Sequence, residues 1–130
     1  MLKNLISLFF KKKQDKIPVK KNGRWKEFSK QGVLISEGDY RDDLRSGNWK
    51  FYYETGELAI EETYETGSLE GIFKSYYKNG QTISFGRYIN NRREGKFVIF
   101  NELGQVVKTM TFKGDILMEE IEMPVEVVKV

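Results

Sequence analysis

Glycine and aromatic positions recur along the chain with a period of 24 residues. The glycines that begin the four units are Gly23, Gly47, Gly71 and Gly95. In each unit, large aromatic residues follow at the second and fifth positions, a second glycine at the ninth and a third aromatic at the seventeenth. Four consecutive copies in one register indicate an array of stacked supersecondary units.

Each unit predicts a β-hairpin. A run of residues rich in aromatics leads to a turn such as Lys78-Asn79-Gly80-Gln81, and a second run of apolar and β-branched residues follows. Asn-Gly and related pairs supply the positive φ angles that tight turns require. A lone hairpin is marginal in water, so each unit must stack on its neighbours. The predicted fold class is all-β, an elongated single-layer antiparallel meander of stacked β-hairpins. Its eight strands, spaced at about 4.8 Å, would span about 35 to 40 Å.

Strand alternation predicts which side chains share a face of this sheet. Trp49, Phe51 and Tyr53 would point one way, and Lys50 and Tyr52 the other. The aromatics at the second and fifth positions of a unit have an odd separation, which places them on opposite faces of a regular strand. Either a bulge brings them onto one face, or both faces carry rings.

The second and third units resemble the MORN-type repeat, and more closely its bacterial variant. The matching residues of the second unit are Gly47, Trp49, Tyr52, Tyr53, Gly56, Leu58, Tyr64 and Gly67. Those of the third are Gly71, Phe73, Tyr76, Tyr77, Asn79, Gly80 and Tyr88. The outer copies depart from the pattern, with Ser29 and Asn101 where the second tyrosine is expected. The resemblance covers about residues 23–115.

This resemblance implies a non-catalytic module that binds a partner protein through the sheet surface. Many bacterial proteins similar to it are described as antitoxins of the YwqK-like family, the non-toxic partner of a toxin. Eukaryotic relatives act as scaffolds and as binders of lipid surfaces. We therefore expect an antitoxin, an immunity-type protein or a scaffold, with a toxin as one expected partner. The alternative is a peripheral membrane scaffold anchored by the N-terminal segment.

The repeats divide the chain into three segments. Residues 1–22 are predicted to form a short amphipathic basic helix and a linker, residues 23–115 the four units, and residues 116–130 a capping strand segment. The units are residues 23–46, 47–70, 71–94 and 95–115. A capping strand would blunt the edge of the sheet. Its alternative is a free strand that augments a partner's sheet.

The N-terminal helix has one apolar stripe followed by three lysines. The stripe and the lysines are Leu2, Leu5, Ile6, Phe9, Phe10, Lys11, Lys12 and Lys13. The apolar run is too short for a signal peptide or a membrane span. The favoured interpretation is a helix packed on the sheet. The alternative is an in-plane anchor on an anionic membrane, and liposome flotation with and without residues 1–13 distinguishes the two.

Charge is distributed unevenly along the chain. The formal net charge of +3 combines +8 over residues 1–30 with −5 over residues 31–130, so the repeat body is acidic and nucleic-acid binding is not expected. Six glutamates and no basic residue lie between Glu54 and Glu70, whereas the third unit carries Arg87, Arg92 and Arg93. Either neighbouring units exchange ion pairs, or the acidic stretch docks a basic partner through Glu61, Glu62 and Glu65.

Catalytic chemistry has few candidate residues. The chain has no cysteine and no histidine, which excludes disulfides, thiolate metal sites and the usual general base at neutral pH. Glycines recur at turn positions and form no phosphate-binding loop. We therefore expect no enzyme activity, cofactor, metal or small-molecule substrate. A cytoplasmic location is expected, at the inner membrane face if the helix is an anchor.

The doubled tyrosines are the remaining candidates for recognition. They are Tyr52, Tyr53, Tyr76 and Tyr77. Adjacent strand residues face opposite ways, so one tyrosine of each pair should lie on a face that the units do not bury among themselves. Tyrosine suits a half-exposed recognition surface. A row of tyrosines implies a cover, supplied by the terminal segments, by self-association or by a partner.

Overall fold

The structure, a computed structural model, describes residues 17–125. They form one open antiparallel sheet of eleven strands, which confirms the predicted all-β meander. The predicted helix over residues 2–13 lies outside the described residues. The strands are β1 (Gly23–Phe28), β2 (Leu34–Arg41), β3 (Leu44–Tyr52), β4 (Leu58–Glu65), β5 (Ser68–Leu69), β6 (Gly71–Tyr76), β7 (Thr82–Ile89), β8 (Arg92–Arg93), β9 (Gly95–Phe100), β10 (Val106–Lys113) and β11 (Ile116–Glu122).

The strands lie side by side in chain order. The sheet runs β1-β2-β3-β4-β6-β7-β9-β10-β11, and the two-residue strands β5 and β8 pair with β4 and β7. Every pairing joins strands that are close in sequence, so each unit is held mainly by its neighbours. This is the arrangement that a repeat array produces.

The hairpin inside each unit closes with a turn that depends on glycine. In the second unit Gly56 has φ of 101°. The backbone N–H of Tyr53 donates to the carbonyl of Glu57 at 2.8 Å, and the N–H of Gly56 donates to the carbonyl of Tyr53 at 2.9 Å. Equivalent pairs of bonds occur in the turns that begin at Ser29, Tyr77 and Asn101. The glycine at the ninth position therefore carries a conformation that other residues rarely adopt.

Two-residue turns join one unit to the next, although the polar run over residues 41–46 suggests a longer connection in the sequence. Only Asp42 and Asp43 separate β2 from β3, with φ of 50° and 66°. Asn90 and Asn91 occupy the same place in the third unit, with φ of 48° and 64°. Two consecutive positive φ angles match the twist of antiparallel strands, and Asp and Asn tolerate them.

The same turns are tied to the preceding unit. The Asp43 carboxylate accepts a hydrogen bond from the backbone N–H of Lys21 at 2.6 Å, and the N–H of Asp43 donates to the Lys21 carbonyl at 3.0 Å. Asn91 with Leu69 and Asp115 with Arg93 make the same two bonds. The side chain that favours the turn therefore also fixes the spacing between units.

Bulges lie on the returning strand of every unit. The residues skipped in the pairing register are Ile35, Ala59, Ile83 and Val107. Because Trp49, Lys50 and Phe51 pair with β4 without a register shift, Trp49 and Phe51 share one face while Lys50 and Tyr52 share the other. Both faces of the sheet therefore carry rings.

One face, here called the ring face, carries two separate series of aromatic contacts, one from Trp25 to Tyr64 and one from Phe73 to Phe112. Its members are Trp25, Tyr40, Trp49, Phe51, Tyr64, Phe73, Tyr88, Phe97 and Phe112. Tyr40 meets Trp49 edge to face with centroids 4.9 Å apart, and Phe97 meets Phe112 at 5.5 Å. Edge-to-face pairs of this kind are favourable beyond the area that they bury.

Two of the four second-position rings are buried, because each lies flat on a glycine. A Cβ at Gly38 would lie 2.3 Å from the Trp49 ring, and a Cβ at Gly86 would lie 2.5 Å from the Phe97 ring. Trp49 is 1% exposed and Phe97 5%, whereas Trp25 at the end of the sheet is 39% exposed. Burial of the second-position rings is therefore strongest in the second and fourth units.

Within residues 17–125, β11 is the last strand of the sheet and its outer edge pairs with no other strand. β11 pairs with β10, and Lys108 holds Glu120 and Glu122 at 3.0 and 3.3 Å. All seven residues of β11 are exposed. The C-terminal segment thus supplies a ninth full strand to the sheet, while residues 126–130 lie outside the described residues.

Candidate interaction surfaces

The face opposite the rings, here called the second face, carries a repeated tyrosine to glutamate hydrogen bond. The Tyr52 hydroxyl donates to Glu37 Oε1 at 2.7 Å, and the Tyr76 hydroxyl donates to Glu61 Oε1 at 3.0 Å. Burial, followed by the bond to the carboxylate, raises the pKa of both Tyr52 and Tyr76 to about 12. Each pair spans two units, so these tyrosines help to hold the sheet as well as cover it.

Tyr53 and Tyr77 join units in a different way. Each follows the last residue of its strand, where strict alternation has ended. The Tyr53 hydroxyl donates to the carbonyl of Tyr76 at 2.5 Å, and that of Tyr77 donates to the carbonyl of Phe100 at 2.9 Å. All four predicted recognition tyrosines are half-buried, and their hydroxyls are bonded within the sheet. Only the flanks of their rings remain available to a partner.

Ser29 and Asn101 replace the second tyrosine in the outer units, and both stabilise their own turns. The Ser29 hydroxyl accepts a hydrogen bond from the N–H of Val33 at 3.1 Å, and the Asn101 side chain accepts one from the N–H of Gln105 at 3.0 Å. The departures from the repeat pattern are therefore local substitutions of one structural bond for another.

The three acidic candidates do not form one patch. Glu61 and Glu62 are neighbours on β4 and point to opposite faces of the sheet. Glu62 lies on the ring face and accepts the Tyr64 hydroxyl at 2.5 Å. Burial and this bond raise the pKa of Tyr64 to about 12. Glu65 is exposed at the end of β4.

The ion pairs expected between the second and third units do not form within residues 17–125. The salt bridges there involve other basic residues: Arg24, Lys26, Arg93 and Lys108. Arg93 pairs with Asp115, at 2.9 Å, and no salt bridge of the described residues reaches a glutamate of the second unit. Two carboxylates of the second unit, those of Glu61 and Glu62, accept hydrogen bonds from tyrosine hydroxyls instead. The stretch from Glu54 to Glu70 therefore keeps its negative charge uncompensated by ion pairs.

Basic side chains cover the ring face at positions that sequence reasoning missed. Arg45 lies 4.6 Å from the centroid of the Trp49 ring, and Arg93 lies 4.1 Å from that of Phe112. Lys21 stands at the same repeat position, 4.8 Å from Trp25. The signal was present in the sequence, since a basic residue precedes the unit glycine by two positions in three of the four units. More of these cation–π contacts lie on the ring face than on the second face, so basic side chains cover more of the ring face.

In the region that the structure describes, no helix has the length and apolar character that crossing a bilayer requires. Within that same region no three carboxylates are grouped to hold a metal ion. The membrane-contact candidates in residues 2–13 lie outside it, so the anchor hypothesis stays a prediction.

Replacing Tyr52 with phenylalanine tests the hydroxyl to carboxylate bond. The Tyr52 hydroxyl is the largest cause that lowers the pKa of Glu37, so the substitution is expected to raise that pKa. A carboxyl with a lowered pKa in the folded state stabilises the fold at neutral pH, and this contribution is lost as the pH falls through the folded pKa. Tyr52→Phe should therefore cost about 1 kcal/mol at neutral pH and less in acid.

The measurement is an NMR titration of the Glu37 carboxyl, together with urea unfolding at neutral and acidic pH. Tyr76→Phe is the matched control, because it removes the equivalent bond to Glu61 and should leave the Glu37 titration unchanged. An unchanged Glu37 titration in Tyr52→Phe would show that the bond is absent in solution.

Comparison with known families identifies the repeat type. The model of a family described as MORN repeat variant matches residues 21–42, 45–66 and 69–90, which together are just over half of the chain. The matched segments begin 24 residues apart, and residues 93–114 continue the series with the same strands and turns. No curated protein matches the chain.

Proposed function

We propose, from the premise that this chain belongs to the MORN repeat variant family, that it is a non-catalytic module whose open sheet surface binds a partner protein. MORN repeats form β-hairpin modules, and the four units seen here are such a module. The fold alone does not specify a partner.

One observation carries the proposal, namely that the second face has no covering layer within residues 17–125. Ile72 is 54% exposed and Phe85 39% exposed there, and they lie on adjacent paired strands. The rings of Tyr52 and Tyr76 lie half-buried on the same face. Apolar and tyrosine side chains on an uncovered sheet are typical of protein-binding surfaces.

The finer assignment is an antitoxin or immunity-type protein of the cytoplasm. It rests on the resemblance to the YwqK-like antitoxin family and on the acidic second unit. Carboxylates without ion pairs attract a basic partner over several ångströms and speed its approach. A toxic protein captured by the intact chain would support this assignment, and capture of non-toxic partners alone would favour a scaffold.

Charge reversal at two exposed glutamates tests whether the negative charge of the second unit attracts the partner. Glu54 and Glu65 are better positions than Glu61 and Glu62, because Glu61 and Glu62 accept tyrosine hydroxyls and their replacement would disturb the sheet. The double variant E54K/E65K is expected to slow association with the captured partner by about tenfold at low salt. Stopped-flow association rates at several salt concentrations provide the measurement.

The matched control is E102K, which reverses an exposed glutamate in the turn of the fourth unit. It should change the association rate little. Association rates that do not change with salt, and that are equal for the parent, E54K/E65K and E102K, would show that the acidic stretch does not dock the partner.

A further inference from the structure

The second face changes its chemistry between the second and fourth units. Glu61 is followed one repeat later by Phe85, and Tyr76 by Phe100. In the next repeat, phenylalanine therefore replaces both the tyrosine that donates this hydrogen bond and the glutamate that accepts it. Because donor and acceptor are lost together, no polar group is left unpaired. This joint replacement converts a polar network into an apolar surface.

The apolar surface continues across four adjacent strands. Phe85 on β7 pairs with Val98 on β9, Val98 pairs with Thr109 on β10, and Thr109 pairs with Ile121 on β11. Paired residues point to the same face, so these four side chains form a row about 15 Å long. Phe85 and Ile121 at its two ends are 39% and 44% exposed, whereas Thr109 between them carries a hydroxyl and is only 9% exposed.

Opposite charges stand beside the two ends of this row. Arg87 lies two residues along β7 from Phe85, and Glu119 lies two residues along β11 from Ile121, on the same side of the row. Both side chains are exposed, and neither takes part in a salt bridge among residues 17–125. Arg87 replaces Thr63 of the preceding unit. The row is thus flanked by Glu119 at its β11 end and by several basic side chains towards its β7 end. There Lys96 is exposed beside Arg87, and Lys74 Nζ lies 5.6 Å from the centroid of the Phe85 ring.

We propose that two copies of the chain pack these surfaces against each other about a twofold axis. The axis runs parallel to the strands, between β9 and β10. It places Phe85 over the partner subunit's Ile121 and Arg87 beside the partner subunit's Glu119. Each contact occurs twice, as a twofold interface requires. Aligned sheets pack about 10 Å apart with their strands within about 30° of parallel, which these side chains can bridge.

A second copy fits this surface because the charge pattern is self-complementary. Glu94 also borders the depression beside Phe85 and Arg87, but its carboxylate accepts the backbone N–H of Gly114 at 2.8 Å. The surface is small for a stable complex, which typically covers about 800 Å² on each partner. The dimer is therefore weak, with dissociation in the micromolar range.

This inference goes beyond the proposed function and does not depend on it, because the test uses the chain alone. Sedimentation velocity of the full chain is measured from low micromolar to several hundred micromolar concentrations. The mass should rise from that of the 15.3 kDa monomer towards twice this value. A mass that stays monomeric throughout would overturn the proposal.

The double variant F85E/F100Y places a carboxylate at the Phe85 end of the row and restores the tyrosine to glutamate pair that the sheet already uses twice. It should fold normally by circular dichroism and remain monomeric. L103E is the matched control, since Leu103 is 81% exposed in a turn outside the row. L103E should dimerise as the parent does. A folded F85E/F100Y variant that still dimerises would contradict the proposed surface.

Charge exchange tests the axis itself. R87E and E119R should each weaken dimerisation about tenfold, because each reversal alters two symmetry-related contacts. The combined R87E/E119R variant should regain the parental affinity, since the two charges are exchanged across the same contact. Absence of this rescue would exclude the proposed axis. Partner capture and the E54K/E65K rates report on the proposed function separately.

Discussion

Replacing Trp49 with alanine is expected to lower the free energy of unfolding by about 3 to 5 kcal/mol. Trp49 is 1% exposed and contacts Tyr40 and Tyr64 with ring centroids 4.9 and 6.5 Å away. Its indole N–H also donates to the carbonyl of Asp39 at 3.0 Å. Domains of this size are stable by about 5 to 15 kcal/mol in total. The variant should therefore be close to unfolding at room temperature.

Trp25→Ala is the matched control for this loss. Trp25 occupies the same repeat position in the first unit but is 39% exposed at the end of the sheet. It contacts only Tyr40 among the rings of the described residues. Its removal should cost less than half as much as removal of Trp49, measured from urea unfolding midpoints. Equal losses in the two variants would show that burial of Trp49 does not carry the stability of the sheet.

Gly38→Ala is expected to destabilise the chain by about 3 kcal/mol or more. The added Cβ would lie 2.3 Å from Cδ2 of Trp49, well inside van der Waals contact. Gly38 does not have a positive φ, so the backbone itself would accept alanine. The cost therefore arises from displacement of the Trp49 ring.

A double-mutant cycle isolates this clash. In a Trp49→Leu background the smaller side chain leaves room for the new methyl group, and Gly38→Ala should then cost less than about 1 kcal/mol. Gly80→Asn is the control, because Gly80 has φ of 86°, a Cβ added there would meet no atom within 4 Å, and asparagine tolerates this conformation. An equal cost of Gly38→Ala in both backgrounds would refute the contact.

The periodic spacing of glycine and aromatic residues was sufficient to predict the sheet. Glycines such as Gly56 recur where a turn needs a positive φ, and the rings recur where neighbouring units must pack. The family match confirms the repeat type, and the strands follow its register into the fourth unit. Such folds can be predicted from the sequence because each unit pairs only with its neighbours.

The joints between units were harder to predict. Asp42 and Asp43 looked like part of a polar connection, yet they form a complete turn between paired strands. Their signal was the recurrence of Asp, Asn and Gly at one repeat position, where the side chain also bonds the preceding unit. A run of charged residues does not predict which side chains pair, because a carboxylate can accept a hydrogen bond from a tyrosine hydroxyl as well as from a lysine.

The roles of the doubled tyrosines were predictable only in part. Alternation along β3 correctly separates Tyr52 from Trp49, and the pair at Tyr76 and Phe73 repeats this separation. Tyr53 lies beyond the strand end, and its bond to the next unit depends on how closely the units stack. That spacing is a property of the assembled sheet, not of one repeat.

The most direct test compares urea unfolding of F85E/F100Y, on the second face, with that of Trp49→Ala, on the ring face. Both are measured at a concentration where the chain is monomeric. The comparison shows whether the ring face stabilises the fold while the second face is free to bind. The F85E/F100Y variant should keep its stability within about 1 kcal/mol of the parent, while Trp49→Ala loses several times more. A loss in F85E/F100Y as large as that in Trp49→Ala would contradict the division of roles between the two faces.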